Sequence, residues 1–205
     1  MRAAAQQPPA EVARQADRET TRAVVALRAQ GSHEAASERY AEIVERHQRR
    51  ASRIAFHYLR DAADADDAVQ DAFIKAFTHL ETYRDELPFE VWFTRVLING
   101  CLDRIKSRTR RNRWIVSLEE QGHGTDALDP AAEQPNPEAR ALAAERRRHL
   151  TAALARLPER QRAVFLLSQE QGYTSREVSA MTGMKETTVR VHLFRAIRKL
   201  RTLLR

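Results

Sequence analysis

Between Ser117 and Glu138 the chain carries acids at Glu119, Glu120, Asp126, Asp129, Glu133 and Glu138, no Lys or Arg, and several glycines and prolines. Such a stretch cannot hold a regular element and reads as a linker. Cutting a 205-residue chain there excludes one large enzyme core and leaves room for two small helical ones. Asn136-Pro137 closes the linker as a helix cap followed by a proline suited to a first helical position.

Beyond the linker, Leu142, Arg146, Leu150, Ala153, Leu154 and Leu157 share one helix face, Pro158 restarts the chain, and Val164 to Leu167 form a third short buried element. A helix-turn-helix pattern follows from Thr174 to Leu200. Thr174 and Glu177 have the spacing of a capping box, Val178 and Met181 give the first helix a buried side, and Gly183 supplies the permissive backbone of the turn. In the second helix Val189, Leu193, Ala196 and Leu200 recur as a core face, and Arg190, His192, Arg195 and Arg198 are expected opposite it. From Lys185 to Arg205 seven basic residues face the single acid Glu186, so the segment is drawn toward a polyanion.

On the other side of the linker the pattern is also helical. Tyr40, Ile43, Val44 and His47 line one helix side, and Ile54, Tyr58 and Leu59 continue it after a polar interruption at Gln48-Arg49-Arg50. Val69, Ala72, Phe73, Ala76, Phe77 and Leu80 make the cleanest apolar stripe in the chain, on a helix that Asp61 or Asp64 caps and whose acidic first turns suit the helix dipole. A loop from about Glu81 to Pro88 precedes a helix running to about Arg108. On that helix Trp92, Arg95, Asn99 and Lys106 share one side, while Phe93, Val96, Leu97 and Cys101 face the core. It ends in Arg104, Lys106, Arg108, Arg110, Arg111 and Arg113 against Asp103, a charge run able to follow a phosphate backbone. Basic residues beside an aromatic suit single-stranded nucleic acid, since every base offers a face for stacking. Residues 1–32, with Pro8-Pro9 and a weakly amphipathic stretch at Val24, Val25 and Leu27, read as a loosely attached extension.

A formal net charge of +7 fits a nucleic-acid partner. Cys101 is the one cysteine, so no internal disulfide or thiolate metal cluster is expected, and a reducing cytoplasm fits. No stretch has the roughly 20 apolar residues of a membrane span. His33, His47, His57, His79, His123, His149 and His192 lack the spacing of a zinc protease, and no phosphate-cradling glycine loop occurs. The expectation is a non-enzyme with no cofactor and no metal.

Asp66-Asp67-Ala68-Val69-Gln70-Asp71-Ala72-Phe73 resembles the core-polymerase-binding helix of bacterial sigma factors. Phe89, Trp92, Phe93, Asn99, Asp103 and Arg104 resemble, in order and spacing, the promoter helix that follows it in that family, and Val116-Ser117-Leu118-Glu119-Glu120 resembles the junction into the family's linker. Leu157-Pro158-Glu159-Arg160-Gln161-Arg162 and the Thr174 to Leu200 segment resemble the C-terminal promoter-reading domain. Two domains on one short linker match the extracytoplasmic-function class. Ser179, Thr182, Lys185 and Ile98 depart from the family pattern, which usually has alanine, leucine, a Ser or Thr cap, and a polar residue there.

The resemblance implies an all-α fold with a variable extension over 1–32, a region 2-like domain over 33–113, the acidic linker over 114–136, and a region 4-like domain over 137–205. It implies that Asp67, Gln70, Asp71 and Phe73 hold core RNA polymerase. It gives Tyr83, Trp92, Arg95, Asn99, Arg104 and Lys106 to the minus-ten element, whose non-template strand is captured and held apart. Lys185, Thr187, Thr188, Arg190, His192 and Arg195 go to the duplex at the minus-thirty-five element. An anti-sigma protein is a further implied partner. The rival reading is a one-component regulator using the helix-turn-helix as a dimer on a palindrome. It gives the N-terminal module no task.

Overall fold

The computed structural model describes residues 9–114, 145 and 148–204, with side chains placed at 11–108, 110, 145 and 148–204. Its described residues are helical with no strand, the expected all-α class, and they divide into two units, Met1–Glu120 and Gln121–Arg205. The acidic stretch after Trp114, the Asn136-Pro137 cap, Leu142, Arg146 and the side chains of Arg111 and Arg113 lie outside the described residues. Among the described residues no helix is long and apolar enough to cross a membrane.

The first unit is built on α2 (His33–Leu59), which touches α1 (Pro9–Ala29), α3 (Ala62–Thr78) and α4 (Phe89–Trp114). The polar run Gln48-Arg49-Arg50 does not interrupt α2. Gln48 and Arg49 lie on the solvent side, and Arg50 reaches across to Glu90 on α4 at 3.0 Å. Asp61 caps α3 by accepting from the Asp64 N–H at 2.9 Å. Val69, Ala72, Phe73 and Ala76 of the α3 stripe are buried and Phe77 is half-buried, and Phe73 stacks on Phe93 of α4 with ring centroids 4.4 Å apart. Pro88 sits just ahead of α4, its carbonyl accepting from Val91 and Trp92, and the helix runs past the expected end to Trp114.

The loosely attached extension is corrected for residues 9–29. Helix α1 packs along α2 through a largely polar face in which Asp17, Thr20, Thr21 and Val24 are all buried. Asp17 accepts from Arg46 Nε at 3.0 Å and lies 2.9 Å from His47 Nε2, so the carboxylate is anchored where burial alone would be costly. A contact face built from Asp and Thr leaves no apolar periodicity, which is why hydrophobic patterning overlooks it.

The second unit contains a helical segment α5 over 148–155, α6 (Glu159–Phe165) continued by a π turn over Leu166–Glu170, α7 (Ser175–Thr182) and α8 (Glu186–Leu203). Ala153, Leu154, Leu157 and Leu166 close against Ala196 and Leu200 of α8. Val178 and Met181 of α7 and Val189 of α8 are buried in the same unit. The capping box forms in full: the Glu177 N–H donates to Thr174 Oγ1 at 3.2 Å and the Thr174 N–H to Glu177 Oε2 at 2.8 Å. Gly183 adopts φ +71°, the left-handed conformation that ends α7.

Candidate nucleic-acid interface

Two faces carry the nucleic-acid candidates, one in each unit, and a third, on α3, carries those for the polymerase. The α8 face is the simpler. Thr187, Arg190, Val191, Phe194, Arg195 and Arg198 recur at three- and four-residue steps and are all exposed. Phe194 is 67% exposed and Val191 46%, well beyond what a solvated basic helix needs. A reading of charge alone passes over both. Their signal was present, because they fall off the Val189-Leu193-Ala196-Leu200 stripe. His192 is the converse. Three residues after Val189 and four before Ala196, it borders the buried stripe, and its Nδ1 is enclosed without a hydrogen-bond partner among the described residues. It therefore does not share the outward face with Arg190 and Arg195.

At the leading end, Lys185 precedes α8 with no side-chain cap, Thr187 is exposed and Thr188 half-buried. Arg190 pairs with Glu186 one turn back. The residues that break the family pattern are used in the turn. Ser179 Oγ donates to the Met184 carbonyl at 2.6 Å and Thr182 Oγ1 to the Val178 carbonyl at 2.6 Å, so side-chain hydroxyls brace the α7–α8 corner.

The N-terminal face runs along α4. Trp92, Arg95, Asn99 and Lys106 share one side, with Arg95, Asn99 and Lys106 exposed and Trp92 half-buried. At 1.5 Å per residue they span roughly 20 Å. Trp92 belongs to an aromatic group with Tyr83 and Phe89, ring centroids 5.6 Å and 5.7 Å away. Tyr83 donates its hydroxyl to the Leu87 carbonyl at 3.0 Å, pinning the loop before α4. Burial, reinforced by the Asp85 carboxylate, raises the Tyr83 phenol to about 12. Ile98, where the family prefers a polar residue, is buried and holds α4 to the core.

On α3, Asp67, Gln70 and Asp71 are exposed on one side, and Ile74 joins them there, 57% exposed at the same helical spacing. Ile74 is the apolar member of this surface; Phe73 points the other way, into the core against Phe93. The α3 and α4 faces meet. Arg104 is 2.5 Å from Asp71 and 3.8 Å from Asp67, and Arg108 is 3.0 Å from Asp64. A groove of about 190 Å³ lies at this seam, lined by Asp71, Lys75, Gly100, Asp103 and Arg104 among others. One cation expected on DNA is thus shared with two acids expected on the polymerase, a pairing that only the packing of α3 on α4 creates. Lys106 leans on Asp103 at 3.4 Å.

Comparison with known proteins gives a consistent picture. The family described as Sigma-70 region 2 matches residues 43–111, and Sigma-70, region 4 matches residues 147–200. The ECF RNA polymerase sigma factor SigM of Mycobacterium tuberculosis is 32% identical over 174 residues, covering 82% of this chain and 80% of that protein. The ECF RNA polymerase sigma-E factor of Escherichia coli is 28% identical over 156 residues, covering 75% and 80%. Among solved structures, the sigma factor RpoE of Bartonella quintana, in complex with the anti-sigma factor NepR, has a similar fold: TM-score 0.63, 20% identity, 80% of this chain and 96% of that one.

Proposed function

Because the chain belongs to the extracytoplasmic-function class of the sigma-70 family, we propose that it binds core RNA polymerase, directs it to specific promoters and helps open the minus-ten element. It is an initiation factor, not an enzyme, and acts in the cytoplasm. The observation that carries the reading is that each unit exposes its own helix face suited to nucleic acid: aromatic and amide on α4, cationic and apolar on α8.

The chemistry differs between the two. In the major groove, arginine forks pair with guanine edges and apolar side chains meet thymine methyls. Arg190 and Arg195 with Val191 and Phe194 offer both on one stripe of α8, with Lys185, Thr187 and Thr188 at its leading end. Capture of an unstacked base costs a few kcal/mol and needs a prepared surface with phosphate contacts beside it. Tyr83 and Trp92 form that surface, Arg95 and Asn99 extend it, and Lys106 and Arg104 supply charge. The α3 side with Asp67, Gln70, Asp71 and Ile74 meets the polymerase, Phe73 shaping it from below, and its carboxylates favour a basic partner surface. The acidic linker is read as a polyanion mimic threading a positively lined channel. A relative solved with an anti-sigma factor supports the same kind of regulatory partner here.

The test is run-off transcription with purified core polymerase on a promoter library. Chain-dependent transcripts from a common promoter class are expected. A chain that shifts duplex DNA alone yet never supports initiation identifies the one-component regulator instead.

A further inference from the structure

The α1 helix does more than cover α2. Its arginines close on the segment that joins α3 to α4, at both ends of that segment. Arg28 Nη1 donates to the Phe77 carbonyl at 2.7 Å, and Arg28 also reaches the Thr78 carbonyl and Glu81, each at 3.4 Å. These carbonyls end α3, where helix geometry leaves acceptors unpaired. The same guanidinium lies over the Phe77 ring, 5.2 Å from its centroid, and is largely buried. At the far end Arg22 pairs with the Asp85 carboxylate at 2.6 Å, and Arg18 reaches the Asp85 carbonyl at 3.5 Å. Arg18 and Asp17 also lie close enough to Tyr83 to bias its ionisation in opposite directions.

Between these two clamps stands the loop whose Tyr83 packs on Phe89 and Trp92. Helix α1 cannot drift, because Asp17 is buried between Arg46 and His47 of α2. From this geometry we propose that Arg22 and Arg28 are positioning residues for minus-ten base selection: α1 sets the place of the loop, and through Tyr83 the shape of the surface that receives the flipped base. This rests on the function proposed above. A loop held from one side only loses its register with Trp92, and a flexible receptor accepts more than one base, since discrimination depends on a preformed site.

The experiment is transcription by holoenzyme from templates randomised in both promoter elements, with transcripts sequenced. The wild-type chain is expected to show sharp preferences in both elements. With Arg22→Ala and Arg28→Ala together, the minus-ten preference falls by roughly three- to tenfold at the captured base. The minus-thirty-five preference is unchanged, and amide exchange over residues 78–88 of the full chain accelerates. Arg22→Ala alone, which removes an exposed pair, shows the same pattern at smaller amplitude and carries the test should the double variant unfold. An unaltered minus-ten preference in a folded variant, or an equal decline in both elements, overturns the role of α1 while leaving the proposed function standing. A wild-type chain with no minus-ten preference removes that function and this inference together.

Discussion

The α8 face and the α4 face both present arginine, yet they hold it differently. On α8, Arg195 and Arg198 stand exposed in a row with Phe194 and Val191, and Glu186 is the one acid near the leading end. On α4, Arg104 and Arg108 are each met by carboxylates of α3, and the half-buried Trp92 packs with Tyr83 of the clamped loop and the buried Phe89. The first arrangement suits an intact duplex, whose base edges must be reached by protruding side chains. The second suits a strand that brings its bases to the protein, where a firm receiving surface matters more than reach.

The hardest way to break this contrast is to unmake the core beneath the α4 face. Phe73→Ala removes the ring stacked on Phe93 and should cost about 3–5 kcal/mol in the first unit. Urea denaturation followed by tryptophan fluorescence measures it, since Trp92 and Trp114 both lie in that unit. An unaltered midpoint would show that α3 and α4 do not depend on this contact. Asp17→Ala takes from His47 its carboxylate partner and from Arg46 one of three, Thr20 and Glu42 remaining, and should cost about 2–3 kcal/mol by the same assay.

The α8 face is next in size. Arg195→Ala should weaken binding of minus-thirty-five duplex by holoenzyme by about 1–3 kcal/mol, whereas His192→Ala should cost clearly less, because that ring borders the core. Fluorescence anisotropy of labelled duplex measures both, and the opposite order would put His192 back on the reading face. Smaller still is the seam between α3 and α4. Asp71→Asn removes the nearer of the two carboxylates on Arg104, Asp67 remaining at 3.8 Å, and should raise the free chain's affinity for single-stranded DNA by roughly 0.5–1 kcal/mol, more than Asp66→Asn does. The excess should vanish in an Arg104→Ala background; if it persists, the gain is general charge and not release of that guanidinium.

A further effect appears only at high pH. Tyrosine titrates near about 10 when unfolded, and burial with the Asp85 carboxylate raises Tyr83 to about 12 in the fold. Burial also pushes Tyr40 upward. The unfolded chain releases the Tyr83 proton first, so its contribution is whole below about pH 10 and is lost as pH rises toward 12, while that of Tyr40 persists further. Denaturation midpoints across that range should fall less in a Tyr83→Phe chain. Cys101, fully buried with its thiol raised to about 12, should resist alkylation throughout the neutral range until the chain unfolds.

How far the sequence speaks differs between the two regions for the same physical reason. The α7–α8 pair is local: a cap, a glycine and one helical period, all readable within thirty residues. Thr174, Glu177 and Gly183 stand as their spacing implies. Even the exposed Val191 and Phe194 and the inward His192 follow from the period once every residue, not only the cations, is placed on it. The α4 face depends on contacts distant in sequence. Arg104 with Asp71, Arg28 with Phe77 and Asp17 with His47 join helices whose pairing no local pattern encodes. Phe73 shows the limit within one motif, since resemblance assigned it to a partner and packing turned it to the core.

Two separable readings meet in this chain's proposed role, duplex by α8 and opened strand by α4. Permanganate footprinting of promoter thymines, with nuclease protection of the minus-thirty-five element on the same complexes, tests it most directly. Holoenzyme carrying Trp92→Ala is expected to keep the upstream protection and lose the reactive minus-ten thymines. Full thymine reactivity with Trp92→Ala, or loss of upstream protection along with it, would contradict the division of labour.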